Sequence, residues 1–74
     1  MEIPADDRRL KAAGWHVMVY GSSLATIHQI NEDGKPDQRI ACRVAMKDGQ
    51  LMFLPERSAA QRTVLARMGL GPRQ

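Results

Sequence analysis

The stretch RIACRVAMKDGQLMFL, from Arg39 to Leu54, most constrains what this chain can fold into. Its centre is Asp48-Gly49 between two apolar runs. That is the strongest short-range signal for a two-residue hairpin turn, because both central residues of such a turn need positive φ. With this pair at the turn, Lys47 faces Gln50, Met46 faces Leu51, Ala45 faces Met52, Val44 faces Phe53 and Arg43 faces Leu54. Side chains alternate across a strand, so these pairs sort onto two faces. Ile40, Cys42, Val44, Met46, Leu51 and Phe53 make an apolar face, expected to be the core. Arg39, Ala41, Arg43, Ala45, Lys47, Gln50, Met52 and Leu54 make a mixed face, expected to lie open.

The flanking segments supply the remaining elements. Glu2 to Ala13 reads as a first helix, with Asp6 as cap or Pro4 in the first turn, and with Gly14 in the left-handed position that ends it. Trp15 then packs back on Leu10 as a core anchor. Trp15–Tyr20 and Leu24–Ile30 are rich in β-formers and flank the turn residues Gly21-Ser22-Ser23. Trp15, Val17 and Val19 form the cleaner apolar face of the first strand, so His16, Met18 and Tyr20 point away. The register between these two strands stays open. A two-residue turn puts Leu24, Thr26, His28 and Ile30 on the core face, and a three-residue loop puts Ala25 and Ile27 there instead. Asn31–Gln38 is a polar loop with a turn at Asp33-Gly34, and Pro36 keeps its tip out of a ladder. Pro55 ends the central hairpin. Ser58 and Gln61 match a capping box, Ala60, Val64, Leu65 and Met68 share a helical stripe, and Gly69 stops the helix. Residues 71–74 are expected to be a flexible tail.

The sum is an α+β domain of order αββββα: a two-layer sandwich in which a four-stranded antiparallel meander carries both helices on one face. Seventy-four residues make one domain, 1–74, with a thin core that leaves room for a homodimer. One cysteine, Cys42, supplies neither an internal disulfide nor a zinc site, which points to a reducing, cytoplasmic setting. No apolar run nears the roughly 20 residues of a membrane span, and the polar, acidic start MEIPADDRR is unlike a signal peptide. No membrane partner is expected.

Charge is uneven. Residues 1–38 carry four Lys/Arg against six Asp/Glu, and residues 39–74 carry seven against two, so the net +3 comes from the second half. Six of those seven cations are arginine, the better fork for carboxylates and phosphates. An anionic partner, protein or nucleic acid, is one reading, and a solvated basic face is the other.

Catalytic chemistry finds little support. His16 and His28 lie on adjacent strands but lack the orienting partner and charge stabiliser that a hydrolase needs, and two histidines alone make a poor metal site. Cys42 alternates with apolar residues and reads as an inert buried thiol. Glu32, Asp33 and Asp37 lack calcium-loop spacing. No phosphate loop or dinucleotide fingerprint occurs. No enzyme activity, cofactor or metal is therefore expected. The better candidate is the open sheet face, with His16, Met18, Tyr20, Arg39, Arg43, Lys47 and Met52 as partner-binding residues and Leu54 beside them. Apolar side chains mixed with arginine fit a protein interface. Arg57, Arg62 and Arg67, in and before the last helix, form a second candidate patch.

LKAAGW at the end of the first helix, a strand reaching Gly21-Ser22, and ARMGL at the end of the last helix resemble the HicA-type toxins. The resemblance implies a small RNA-cleaving protein with a double-stranded-RNA-binding-like fold. That family follows its Gly-Ser with a catalytic His. Here Ser23 holds the position and the middle is longer by about a hairpin, so ribonuclease activity is not carried over. The expected function is a non-enzymatic module that docks on an acidic surface of a larger protein and modulates or inhibits it, similar in type to the accessory factors of phages and plasmids, anti-CRISPRs included. A nucleic-acid-binding regulator using the basic half is the alternative, and a degenerate HicA-like RNA binder is third.

Overall fold

The computed structural model describes residues 1–71. The chain forms β1 (Glu2–Pro4), α1 (Arg8–Ala12), β2 (Trp15–Tyr20), β3 (Leu24–Gln29), β4 (Cys42–Lys47), β5 (Gln50–Met52) and α2 (Ala59–Arg67). All five strands join one antiparallel sheet in the order β1-β5-β4-β3-β2. The expected meander is there as β2 to β5. The expected four-stranded sheet gains β1 at its far edge.

The central hairpin has the register its turn dictates. Ala45 pairs with Met52, Met46 with Leu51 and Lys47 with Gln50. Asp48 and Gly49 take φ of 53° and 76°, the two positive values a tight hairpin needs. Cys42, Val44, Leu51 and Phe53 are buried. The expected pairing of Val44 with Phe53 lies beyond the end of β5. Phe53 instead exchanges both backbone bonds with Met1, each at 2.8 Å.

β1 corrects the first expected helix. Glu2–Pro4 is a strand, and α1 is only Arg8–Ala12, capped by Asp7, not Asp6, through a 2.9 Å bond from the Arg9 N–H. The local reason is Pro4, which pushes the preceding Ile3 out of the helical region. The tertiary reason is β5, whose outer edge would otherwise stand unpaired. β1 pairs with it and buries Ile3. Pro4 is tolerated because its missing N–H faces away from β5. The bonded pairs are Met1 with Phe53, Ile3 with Leu51 and Ala5 with Gly49.

β2 and β3 join through a three-residue loop, with Tyr20 opposite Leu24. This settles the open register: Ala25 and Ile27 are buried on the core face. Leu10 of α1, Trp15 of β2, Val64 and Leu65 of α2 and its cap residue Met68 belong to the same cluster as Ile3, Val44, Leu51 and Phe53. Gly14, at φ 84°, lets the chain turn from α1 straight into β2. α2 begins at Ser58, whose hydroxyl accepts from the Gln61 N–H. It ends with Gly69 N–H on Ala66 and Leu70 N–H on Leu65, the paired bonds of a Schellman ending. Its inward stripe starts at Gln61 instead of Ala60, which is exposed. In the expected tail, Gly71 is half-buried against α2, and residues 72–74 lie outside the described residues.

Candidate functional site

The sheet face opposite the core gathers most of the expected residues. β2 contributes His16, Met18 and Tyr20, β4 contributes Arg43, Ala45 and Lys47, and β5 contributes Gln50 and Met52. Cross-strand pairing sets them in rows. Met18, Thr26 and Arg43 form one row, and Tyr20, Leu24, Ala45, Met52 and Glu2 form the next. Lys47 stands beyond that second row, opposite Gln50. Four residues separate Arg43 from Lys47, about 13 Å at 3.3 Å per residue. The arrangement is therefore an apolar band bordered by one cation on each side and closed at its end by Glu2. Met18 is 37% exposed, Leu24 40% and Tyr20 51%. The Tyr20 hydroxyl leans on the Met18 sulfur at 3.9 Å. Neither Arg43 nor Lys47 has a carboxylate partner among the described residues.

Arg39 does not belong to this face. β4 starts at Cys42, and Arg39 and Ile40 lie outside it, with Ile40 41% exposed instead of in the core. The cause is a clash of two registers. The Asp33-Gly34 turn pairs Ile30 with Pro36, so paired residue numbers sum to 66, whereas Ile27 pairs with Cys42, a sum of 69. The three-residue excess is pushed out as Gln38-Arg39-Ile40, between the bonds Asp37 N–H to Gln29 and Ala41 N–H to Ile27. The Arg39 side chain is 93% exposed and only loosely paired with Asp37, at 3.8 Å.

The second patch does not assemble. Arg62 donates to the Pro55 carbonyl at 2.6 Å, and the Arg67 guanidinium lies 4.5 Å from the centre of the Trp15 ring. Five residues apart, these two point about 140° away from each other around the helix. Arg57 sits in the turn before α2, its N–H bonded to Leu54.

The two histidines are cross-strand partners, as their strands allow, but they differ in environment. His16 is exposed. His28 is buried, although it lies on the sheet face opposite the core. Its Nδ1 lies 2.8 Å from the Asp37 carbonyl, and its Nε2 lies 2.8 Å from Thr26 Oγ1. A carbonyl only accepts, so Nδ1 carries the proton and, in the neutral ring, the Thr26 hydroxyl donates to Nε2. This network ties the Pro36–Gln38 segment onto the sheet and leaves His28 no free nitrogen for catalysis. Burial pushes the Cys42 thiol up to about 11, so it is a poor nucleophile. Among the described residues no group of three His, Cys, Asp or Glu side chains could hold a metal ion, and no helix is long and apolar enough to cross a membrane.

Leu24 and Thr26 also belong to this face, which the sequence leaves open because only the loop length decides which side they take. Leu54 is exposed just past β5, beside this surface. No protein-family model matches the chain, and neither a curated protein nor a solved structure matches it. The HicA-type resemblance thus rests on short motifs alone, and Ser23 stands in the β2–β3 loop, accepting from Met46 N–H.

Proposed function

We propose that this chain is a non-enzymatic docking module for the cytoplasm, one that seats the outer face of its sheet on an acidic surface of a larger protein and modulates or inhibits it. The observation that carries this reading is the band of exposed Tyr20, Leu24 and Ala45 with half-buried Met52, bordered by Arg43 and Lys47. Apolar side chains give such an interface its affinity, and the bordering cations give it register and steering. The methionines suit an irregular partner surface.

The test is capture of partners by the tagged full chain from its native host, with and without nuclease, beside an Arg43→Glu/Lys47→Glu variant. A protein captured by the parent chain in both conditions, and lost with the variant, supports the reading. Partners that vanish after nuclease treatment would favour the second reading, a nucleic-acid-binding regulator. That reading draws on the +5 charge of residues 39–74 and on Tyr20 as a single stacking ring. Capture unchanged in the variant would move the interface elsewhere, with Arg57 and the two helix arginines next to be tested.

A further inference from the structure

The two edges of the sheet are built differently. The β1 edge is three residues long and carries Glu2 and Pro4, both devices that discourage strand addition. The β2 edge is six residues, WHVMVY, without a formal charge or a proline. Among the described residues no other strand covers it.

Backbone parity shows which groups that edge presents. Ile30 N–H bonds to the Gly14 carbonyl, one step beyond the β2–β3 ladder and in the same register. Bonded pairs alternate along an antiparallel ladder, so Gly14, His16, Met18 and Tyr20 turn their N–H and C=O groups toward β3. Trp15, Val17 and Val19 therefore turn theirs outward. Val19 is 51% exposed, and the start of the edge borders a groove lined by the consecutive residues Trp15, His16 and Val17 together with Asp6, Asp7 and Lys11, with Trp15 itself 4% exposed. Consecutive strand residues point to opposite faces, so a groove that touches all three runs along the edge.

We infer that the β2 edge pairs with β2 of a second copy of this chain, antiparallel about a two-fold axis at Val17, joining two five-stranded sheets into one. This register pairs Val17 with Val17, Trp15 with Val19 and Val19 with Trp15. Three bonded pairs exchange two hydrogen bonds each, six in all, and each edge-facing residue of the strand is used. Moving the register two residues along leaves one of these residues opposite a loop and loses part of the ladder. The side chains match as well. Val19, 51% exposed although it lies on the core face, meets the Trp15 position of the other copy. Tyr20, also 51% exposed, falls opposite Gly14, where no side chain stands and nothing lies within 4 Å of where a Cβ would be. An aromatic across from an edge glycine is a favourable cross-strand arrangement. A second copy fits better than a charged partner because the strand brings no formal charge to be buried. The cations of the outer face lie on β4 and stay free, so Arg43 and Lys47 belong to the docking surface alone, while Tyr20 borders both contacts. A strand edge about 20 Å long makes a small interface, so the dimer is expected in the micromolar range or weaker.

The test uses the intact chain. Sedimentation equilibrium from about 10 μM to 1 mM should show a reversible monomer–dimer equilibrium, with the Kd weakened at least 10-fold by Val19→Lys and unchanged by Arg43→Glu. Amide exchange by NMR should show the N–H groups of Trp15, Val17 and Val19 becoming protected as concentration rises, while those of His16, Met18 and Tyr20 are protected throughout. A mixed-label sample should give an intermolecular contact between the His16 and Met18 α-protons, specific to this register. A chain monomeric at 1 mM overturns the inference. So does a dimer that survives Val19→Lys, or one that forms without protecting the three edge amides.

Discussion

The Gln61 side-chain amide is wedged between the backbones of Arg43 and Leu54. Its Oε1 accepts from the Leu54 N–H at 2.7 Å, and its Nε2 donates to the Arg43 carbonyl at 2.8 Å. These two residues would face each other if the β4–β5 ladder ran two pairs past Ala45 and Met52. Instead the strands part there, and a carboxamide from α2 completes the pairing. The helix is thereby bolted to the point where the hairpin opens.

Gln61→Leu should remove both bonds and leave a part-buried N–H and carbonyl unmatched. Each such group costs about 1–3 kcal/mol, so a loss of about 2–6 kcal/mol is expected, toward the lower end because the site is only part-buried. Urea unfolding followed by circular dichroism measures it. A midpoint within error of the parent would show that water replaces the amide at no cost.

Phe53→Ala should cost about 3–5 kcal/mol, because Phe53 is fully buried. That is a large share of what so small a domain has. Gly49→Val should destabilise by about 1–2 kcal/mol, since a β-branched residue resists the φ of 76° found there. An unchanged melting temperature for either variant counts against the hairpin as described.

Cys42 should react slowly with a thiol reagent while the chain is folded and quickly in denaturant. Its thiol is raised from 9.0 to about 11 by desolvation. The unfolded state then releases its proton first as pH rises, so the Cys42 contribution to stability is constant below pH 9 and is lost from pH 9 toward 11. Cys42→Ala should lose that part of the alkaline slope in a pH series of thermal melts.

Asp7 has the opposite sign. Its bonds to the Arg9 side chain and N–H hold the carboxyl at about 2 against an ordinary 3.8. Its contribution is present above pH 3.8 and disappears as pH falls toward 2. The pair lies at the surface, with Arg9 exposed and Asp7 half-buried, so the effect is small and screened by salt. Asp7→Asn should flatten the acid limb of the same pH series at low ionic strength.

Arg39→Glu should disturb partner binding less than Arg43→Glu does. Arg39 sits on the extruded loop, whereas Arg43 borders the apolar band. Arg43→Glu should weaken binding 10-fold or more, about 1.4 kcal/mol, with the circular dichroism spectrum unchanged. Binding measured across salt should decline modestly for a protein partner, whereas a steep linear fall of log affinity with log salt would mark nucleic acid. Equal effects of Arg39→Glu and Arg43→Glu would mean that net charge, and not this face, governs binding.

What the sequence by itself determined is local. Asp48-Gly49 dictated the hairpin and its register, Gly14 and Gly69 ended the helices, and Ser58 started the second, because each depends on a few neighbouring dihedrals. Strand parity likewise placed His16, Met18, Tyr20, Arg43, Lys47 and Met52 on one face. Tertiary structure decided what depends on a distant partner. Glu2–Pro4 became a strand because β5 offered it an edge, although Pro4 already carried a local hint. Leu24 and Thr26 joined the outer face because a loop of three residues was chosen over a turn of two. Arg39 left it because two turns set registers three residues apart, and the excess chain had to be expelled where they met. A strand's period of two carries no record of where its partner begins, so these choices belong to the assembled sheet.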